Sequence, residues 1–252
     1  MSKIIAGKRK QWYTGQQLYV KTKKHRKSLR EKAMRRQYDV MFFDLDGTLT
    51  DPGEGITKSV QYALAQNGIQ VADRRELYCF IGPPLKNSFM KYYGFSTEQA
   101  MRAIYQYREY FRKQGIFENL LYPGMSDLLS QLQKAGKRLI VATSKPELFA
   151  RQILEHFQIS SCFEYIAGAD MEETRVNKDQ VIRYALDTCH IEEVSKVLMV
   201  GDREYDVLGA RALGMDCVGV LYGYGSREEL ENAGAAYLAE SVPALEKLLL
   251  SL

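Results

Sequence analysis

Two aspartates separated by one leucine follow an apolar run in the segment YDVMFFDLDGTLTD, residues 38–51. The apolar run has the length and composition of a buried strand, so Asp44 and Asp46 stand at the end of that strand. Carboxylates this close repel one another and stay ionised together only beside a cation. The segment therefore predicts a charged site rather than an ordinary turn.

Polar residues also follow other candidate strands. In open parallel sheets, ligands bind beyond the carboxyl ends of the strands, so side chains at those ends converge on one edge. The residues that we expect at this edge, besides the two aspartates, are Thr143, Ser144 and Lys145 after RLIVA, Lys178 at the start of a helix, and Asp202 and Asp206 in VGDREYD.

This set of oxygen ligands suits Mg²⁺, which binds one or two carboxylates and retains waters and substrate phosphate oxygens. We expect Asp44 and Asp202 to bind the ion through their side chains, and Asp46 through its backbone carbonyl. The Asp46 carboxyl would then remain free. Asp206 would orient the groups around the metal or hold Lys178.

A metal beside a free carboxyl, a hydroxyl and a lysine suits phosphoryl transfer. Asp44 would attack phosphorus and form an aspartyl phosphate. Asp46 would protonate the leaving alcohol and later deprotonate the attacking water, and Gly47 would give the backbone the freedom to aim it. Thr143 or Ser144 would hydrogen-bond a phosphate oxygen; Ser144 is alternatively the cap of the helix that opens at Pro146.

These residues meet at one edge only if their strands are parallel, and parallel strands are usually connected by helices. Short apolar segments bounded by Gly, Asp or Ser predict five strands and a weaker sixth: 38–43, 138–143, 164–169, 197–200, 216–221 and 237–241. Helical periodicity fills most intervals between them. The alternation predicts an α/β fold with a Rossmann-like parallel sheet and helices on both faces.

One interval of about 90 residues, between the first two strands, is almost wholly helical in pattern. It is too long for one crossover connection, so we predict an inserted all-helical cap domain at 54–122. The catalytic core would comprise residues 38–53 and 123–252. Residues 1–37 would be a basic N-terminal extension that need not be ordered.

Four segments together resemble the motifs of the haloacid dehalogenase-like superfamily: DLDGTLTD, RLIVATSKP, the lysine of RVNKDQVI, and VLMVGDREYD. The resemblance covers about residues 38–252 and implies the roles given above, with Gly47, Thr48, Ser144 and Lys178 contacting the phosphate. Haloacid dehalogenases themselves have an aromatic residue in place of Asp46, so an aspartate there implies phosphatase or phosphomutase chemistry. The phosphatase is favoured, because the cap shows no evident reason to retain a bisphosphate intermediate. The sequence looks most like phosphoglycolate phosphatases, which often have Asn where Ser144 stands, and a 5′-nucleotidase acting on nucleoside monophosphates is the alternative.

The net charge of +4 combines two unequal parts. Residues 1–37 carry 13 Lys and Arg against one Glu, whereas the remainder carries 22 Lys and Arg against 30 Asp and Glu. The basic segment leaves open a function of another class, binding of a nucleic acid or an anionic surface. Four widely spaced cysteines without a C-x-x-C pair predict reduced thiols in a cytoplasmic protein. No apolar run is long enough for a membrane helix, so we expect no membrane partner. We expect a monomer or homodimer that acts on a small phosphorylated metabolite.

Overall fold

Short apolar strands form the central sheet of the protein, in a computed structural model that describes residues 37–172 and 174–252. Within those residues the main sheet has six strands in the order β5-β4-β1-β6-β7-β8, and every neighbouring pair is parallel. The strands are β1 Val40–Phe43, β4 Arg138–Pro146, β5 Tyr165–Ala169, β6 Val197–Gly201, β7 Asp216–Val220 and β8 Tyr237–Ala239. This architecture confirms the predicted α/β class.

The order of the strands brings the predicted site residues together. β1 lies in the middle of the sheet, between β4 and β6, and all four of its residues are buried. Helices on both faces cover such a strand, which explains why it is continuously apolar. The last residues of β4 and the residues that follow β1 and β6 therefore lie side by side at the carboxyl edge of the sheet.

The helices of the main body follow the strands as the periodicity predicts. They are α4 Met125–Lys134, α5 Glu147–His156, α6 Lys178–Thr188, α7 Glu204–Ala212, α8 Arg227–Ala233 and α9 Val242–Leu249. Helix α8 has no counterpart among the predicted elements. Its start is nevertheless encoded locally, because the Ser226 hydroxyl accepts a hydrogen bond from the backbone N–H of Glu229, and Gly234 ends the helix in a left-handed conformation.

Helical structure also fills most of the long interval after β1. It comprises α1 Gly53–Gln66, α2 Leu85–Tyr93 and α3 Thr97–Tyr110, with a 3₁₀ segment at Arg74–Phe80 and a π-helical turn at Phe111–Gly115. A two-stranded antiparallel ribbon, β2 Thr50–Asp51 and β3 Leu120–Leu121, joins the two ends of the interval, and no sequence pattern predicted this ribbon. The domain limits 54–122 stay a prediction, because residues 37–252 form one compact unit.

The basic extension lies almost wholly outside the described residues, so the predictions made for it stay predictions. All four cysteines are free, as the sequence analysis expects. Among the helices of the described part of the chain, none combines the length and the apolar character that crossing a membrane requires.

Candidate active site

Lys178 links two of the predicted acids at the carboxyl edge of the sheet. Its ammonium lies 2.8 Å from Asp44 Oδ1 and 2.7 Å from Asp206 Oδ1, and it donates a hydrogen bond of 3.1 Å to the carbonyl oxygen of Ala142. The three charged side chains are at most 5% exposed. Lys178 is the first residue of α6, so the start of that helix places a cation beneath the end of β1.

Asp202 directly follows β6 and is fully buried. Its Oδ2 accepts a hydrogen bond of 2.7 Å from the backbone N–H of Tyr224, whereas its Oδ1 has no hydrogen-bond partner among the described residues. The backbone packs closely around this carboxylate. A Cβ at Gly47, where φ is +84°, or at Gly223 would collide with Asp202, so these positions require glycine.

Asp44, Asp202 and Asp206 form a cluster that fits a divalent cation. One carboxylate oxygen from each lies within 4.8 Å of the other two, and all three side chains are buried. Lys178 offsets only one of the three negative charges. The unpartnered Oδ1 of Asp202 is the further observation that favours a ligand here, since a buried carboxylate oxygen without a donor is costly.

The pKa directions of this cluster reflect its burial and its excess of negative charge. Burial, with added repulsion from Asp206 and Asp44, raises the pKa of Asp202 well above its usual value. Burial also raises the pKa of Asp206 to about 6, although the Lys178 ammonium opposes the shift. Burial alone would lower the pKa of Lys178, but the adjacent Asp206 and Asp44 raise it overall. A bound cation would favour the ionised form of both acids.

Asp46 is turned away from this cluster. Its Oδ2 forms an ion pair of 2.6 Å with Lys145 Nζ, and its Oδ1 has no hydrogen-bond partner among the described residues. Burial raises the pKa of Asp46, whereas the Lys145 ammonium lowers it and the Asp44 carboxylate raises it further. The side chain is therefore free of the cluster, as a general acid requires. Metal binding by the Asp46 carbonyl stays a prediction.

No role was predicted for Lys145 from the sequence, although the structure places it beside Asp46.

The hydroxyl residues that were predicted to contact the phosphate lie at the same edge of the sheet. Thr143 is buried, and its hydroxyl accepts a hydrogen bond of 3.2 Å from the backbone N–H of Lys145. Thr48 is fully buried, and its hydroxyl has no hydrogen-bond partner among the described residues. The alternative that Ser144 caps a helix is wrong, because α5 begins after Pro146 without a side-chain cap.

A small cavity of about 70 Å³ lies on the Asp46 side of the site, between the sheet edge and the inserted helices. Asp46, Ser144 and Lys145 line it from the sheet side. Aromatic and cationic side chains from the inserted segment line the other side, among them Phe80, Tyr107, Arg108 and Phe111. The cavity is therefore lined by Asp46 and not by Asp44, Asp202 or Asp206.

Arg203 joins the end of β6 to the inserted segment. Its guanidinium donates hydrogen bonds to the carbonyl oxygen of Ile81 and, at 2.8 Å, to Glu229 Oε1. Ile81 precedes the loop at 82–84 that lines the cavity. The residue next to Asp202 thus holds the inserted segment over the site.

Comparison with known proteins identifies the same region. The family model described as haloacid dehalogenase-like hydrolase matches residues 41–220. The chain is 45% identical over 221 residues to a 5′-nucleotidase of Pseudomonas aeruginosa, an alignment that covers 88% of this chain and 99% of the relative. A crystal structure of a predicted phosphatase from Clostridium acetobutylicum superposes with a TM-score of 0.84 at 50% identity, covering 86% of this chain and all of that one.

Two further groups of relatives have other names. The tyrosine-protein kinase PtkA of Mycobacterium tuberculosis is 39% identical over 203 residues, which cover 80% of this chain and 68% of the relative. The phosphoglycolate phosphatase of Colwellia psychrerythraea is 26% identical over 222 residues, covering 85% of this chain and 96% of the relative. All of these names describe enzymes that act on phosphate groups.

Proposed function

The chain belongs to the haloacid dehalogenase-like hydrolases and is a phosphatase of that family, and we propose that it hydrolyses a small phosphate monoester through an aspartyl phosphate on Asp44. The observation that carries the proposal is the separation of its acids. Asp44, Asp202 and Asp206 share one cluster, whereas Asp46 stands apart on the leaving-group side.

Asp44 and Asp202 would hold Mg²⁺ in this proposal, with Asp206 beside them. When bound, the ion supplies charge neutralisation at the phosphate oxygens. Lys178 contacts both Asp44 and Asp206, so it fixes the orientation of the nucleophile.

The first chemical step forms a bond between an Asp44 carboxylate oxygen and phosphorus while the bond from phosphorus to the leaving oxygen breaks. Asp46 gives its proton to the leaving oxygen. In the second step Asp46 takes a proton from water, whose oxygen attacks phosphorus and releases phosphate from Asp44. Gly47, Thr48, Thr143 and Ser144 would contact the phosphate, and the unpartnered hydroxyl of Thr48 supports this assignment.

The size of the cavity favours a compact leaving group. Its 70 Å³ is far below the roughly 300–1,000 Å³ of sites that enclose drug-sized ligands. Arg108, from the inserted segment, brings a guanidinium to its walls, which suits a leaving group with a carboxylate of its own, as in phosphoglycolate. We further propose that residues 54–122 act as a cap that excludes bulk water and sets this specificity.

A nucleoside 5′-monophosphate is the second candidate substrate. The Pseudomonas relative named 5′-nucleotidase is 45% identical to this chain, against 26% for the Colwellia phosphoglycolate phosphatase. Aromatic side chains in the cavity wall, such as Phe80 and Tyr107, would give a nucleobase a stacking surface. This substrate would require the inserted helices to move away from the sheet edge.

A substrate comparison tests the two candidates. We expect Mg²⁺-dependent release of inorganic phosphate from both esters, with kcat/KM for phosphoglycolate about tenfold or more above that for AMP, because a missing charge partner and a poor fit together cost at least about 1.4 kcal/mol. A preference for AMP would instead support the nucleotidase. Transfer of phosphate from ATP to protein tyrosine, without phosphate release from either ester, would contradict the proposed hydrolysis.

The four free cysteines support a location in a reducing compartment, and we propose the cytoplasm.

The monomeric or dimeric state and the nucleic-acid or surface binding by residues 1–37 remain proposals. Activity that is unchanged after deletion of residues 1–37 would separate that segment from catalysis.

A further inference from the structure

Lys145 is a buried cation that the mechanism above does not use. It is 8% exposed and lies near the end of β4, two residues after Thr143. A lysine is almost never buried without a partner that compensates its charge. The contacts of the Lys145 ammonium therefore identify the groups that compensate its charge.

The Lys145 ammonium is the anchor of the Asp46 side chain. The backbone at Asp46 is fixed by pairing with Thr50 and by the hydrogen bond of 2.8 Å from Gly47 N–H to the Thr50 carbonyl oxygen. The carboxyl group itself has one described partner, because Oδ2 contacts Lys145 and Oδ1 contacts no hydrogen-bond donor. The direction in which Asp46 presents its carboxyl thus depends on Lys145.

The same ammonium contacts the inserted helical segment. It lies 4.7 Å from the centre of the Phe111 ring, a distance typical of a cation–π interaction. The Phe111 ring stacks on Tyr107 at 5.3 Å and meets the edge of Phe149 at 5.4 Å, so packing on both sides fixes it. Lys145 is consequently held between the acid and an aromatic cluster that lines the cavity.

We propose that Lys145 is a positioning residue for Asp46: held by Phe111, it aims the carboxyl at the leaving oxygen in the cavity. The inference rests on the proposed function, in which Asp46 protonates that oxygen. It predicts that loss of the Lys145 charge impairs proton donation and leaves the attack of Asp44 on phosphorus largely intact.

Esters with different leaving groups separate these two effects. An alkyl phosphate such as glycerol 3-phosphate needs a proton on its leaving oxygen, whereas the acidic p-nitrophenol of p-nitrophenyl phosphate leaves with little help. The quantity to measure is kcat/KM, since it reports the steps up to formation of the aspartyl phosphate.

For Lys145→Met we expect kcat/KM to fall about 100-fold with glycerol 3-phosphate and less than about fivefold with p-nitrophenyl phosphate, in keeping with the usual size of general-acid catalysis. Lys145→Arg keeps the charge and should recover part of the alkyl phosphate activity. Phe111→Leu removes the ring but no charge, so it should give the same selective loss at smaller size. Lys134→Met, on the exposed face of α4, is the matched control and should change neither rate.

Equal losses with both esters, or no loss with either, would overturn the inference. Asp46→Asn measured in parallel distinguishes this failure from failure of the proposed function. If Asp46→Asn shows the selective loss and Lys145→Met does not, the acid assignment stands and Lys145 does not position it. If Asp46→Asn itself lacks the selective loss, the acid assignment fails and the role of Lys145 fails with it. Should Lys145→Met not fold, Lys145→Arg and Phe111→Leu decide the question.

Discussion

Replacement of Asp44 by asparagine is expected to abolish phosphate release, with kcat reduced by at least about 10³-fold. The amide has almost the shape of the carboxylate but is a poor nucleophile and forms no aspartyl phosphate. Asp44 also contacts Lys178 and lies within the carboxylate cluster, so the change weakens the proposed Mg²⁺ site as well. Release of phosphate from p-nitrophenyl phosphate measures the effect.

The matched control is Asp39→Asn, which removes an exposed carboxylate five residues earlier in the chain. It should leave both turnover and thermal unfolding unchanged. Unfolding curves of Asp44→Asn show whether the fold is kept. If the variant folds and its turnover stays within about tenfold of the wild type, Asp44 is not the nucleophile.

Replacement of Lys178 by methionine is expected to lower the free energy of unfolding more than the other substitutions described above. Lys178 is 5% exposed and offsets the charges of Asp44 and Asp206, which would remain buried without a cation. Removing one partner of a buried ion pair typically costs roughly 3–5 kcal/mol, which corresponds here to a fall in Tm of roughly 10 °C. The measurement is thermal unfolding in the presence of a metal chelator.

Addition of Mg²⁺ should restore part of the stability of Lys178→Met, because a cation in the cluster offsets the same carboxylates. Lys247→Met, at an exposed position of α9, is the control and should change stability by less than about 0.5 kcal/mol. A Lys178→Met protein that is as stable as the wild type in chelator would show that the cluster does not depend on this charge.

Much of the fold follows from local sequence patterns. Buried parallel strands are short continuous apolar runs, and those of β1, β6 and β7 contrast sharply with their polar borders. Each predicted strand shares one end with the observed strand and differs from it at the other end by one to three residues. The ribbon of β2 and β3 was missed because two-residue strands have no periodicity, and only the return of the chain after about 70 residues pairs them.

The candidate site could be predicted in part, because chemistry restricts the residues that follow a buried strand. Asp44 and Asp202 each follow a buried strand, where packing alone does not favour a carboxylate. Lys145 differs, since a lysine after a strand usually lies in solvent. Its partner Asp46 stands 99 residues earlier, and only the sheet order that places β4 beside β1 brings the two together.

Transfer of the phosphoryl group to Asp44 can be detected by chemical trapping of the aspartyl phosphate. Borohydride reduces an acyl phosphate to an alcohol and so converts a phosphorylated aspartate into homoserine, which peptide mass spectrometry locates. We expect homoserine at position 44 when the enzyme is reduced during turnover, and none without substrate or in Asp44→Asn. Homoserine at another aspartate, or none at position 44 while turnover continues, would contradict it.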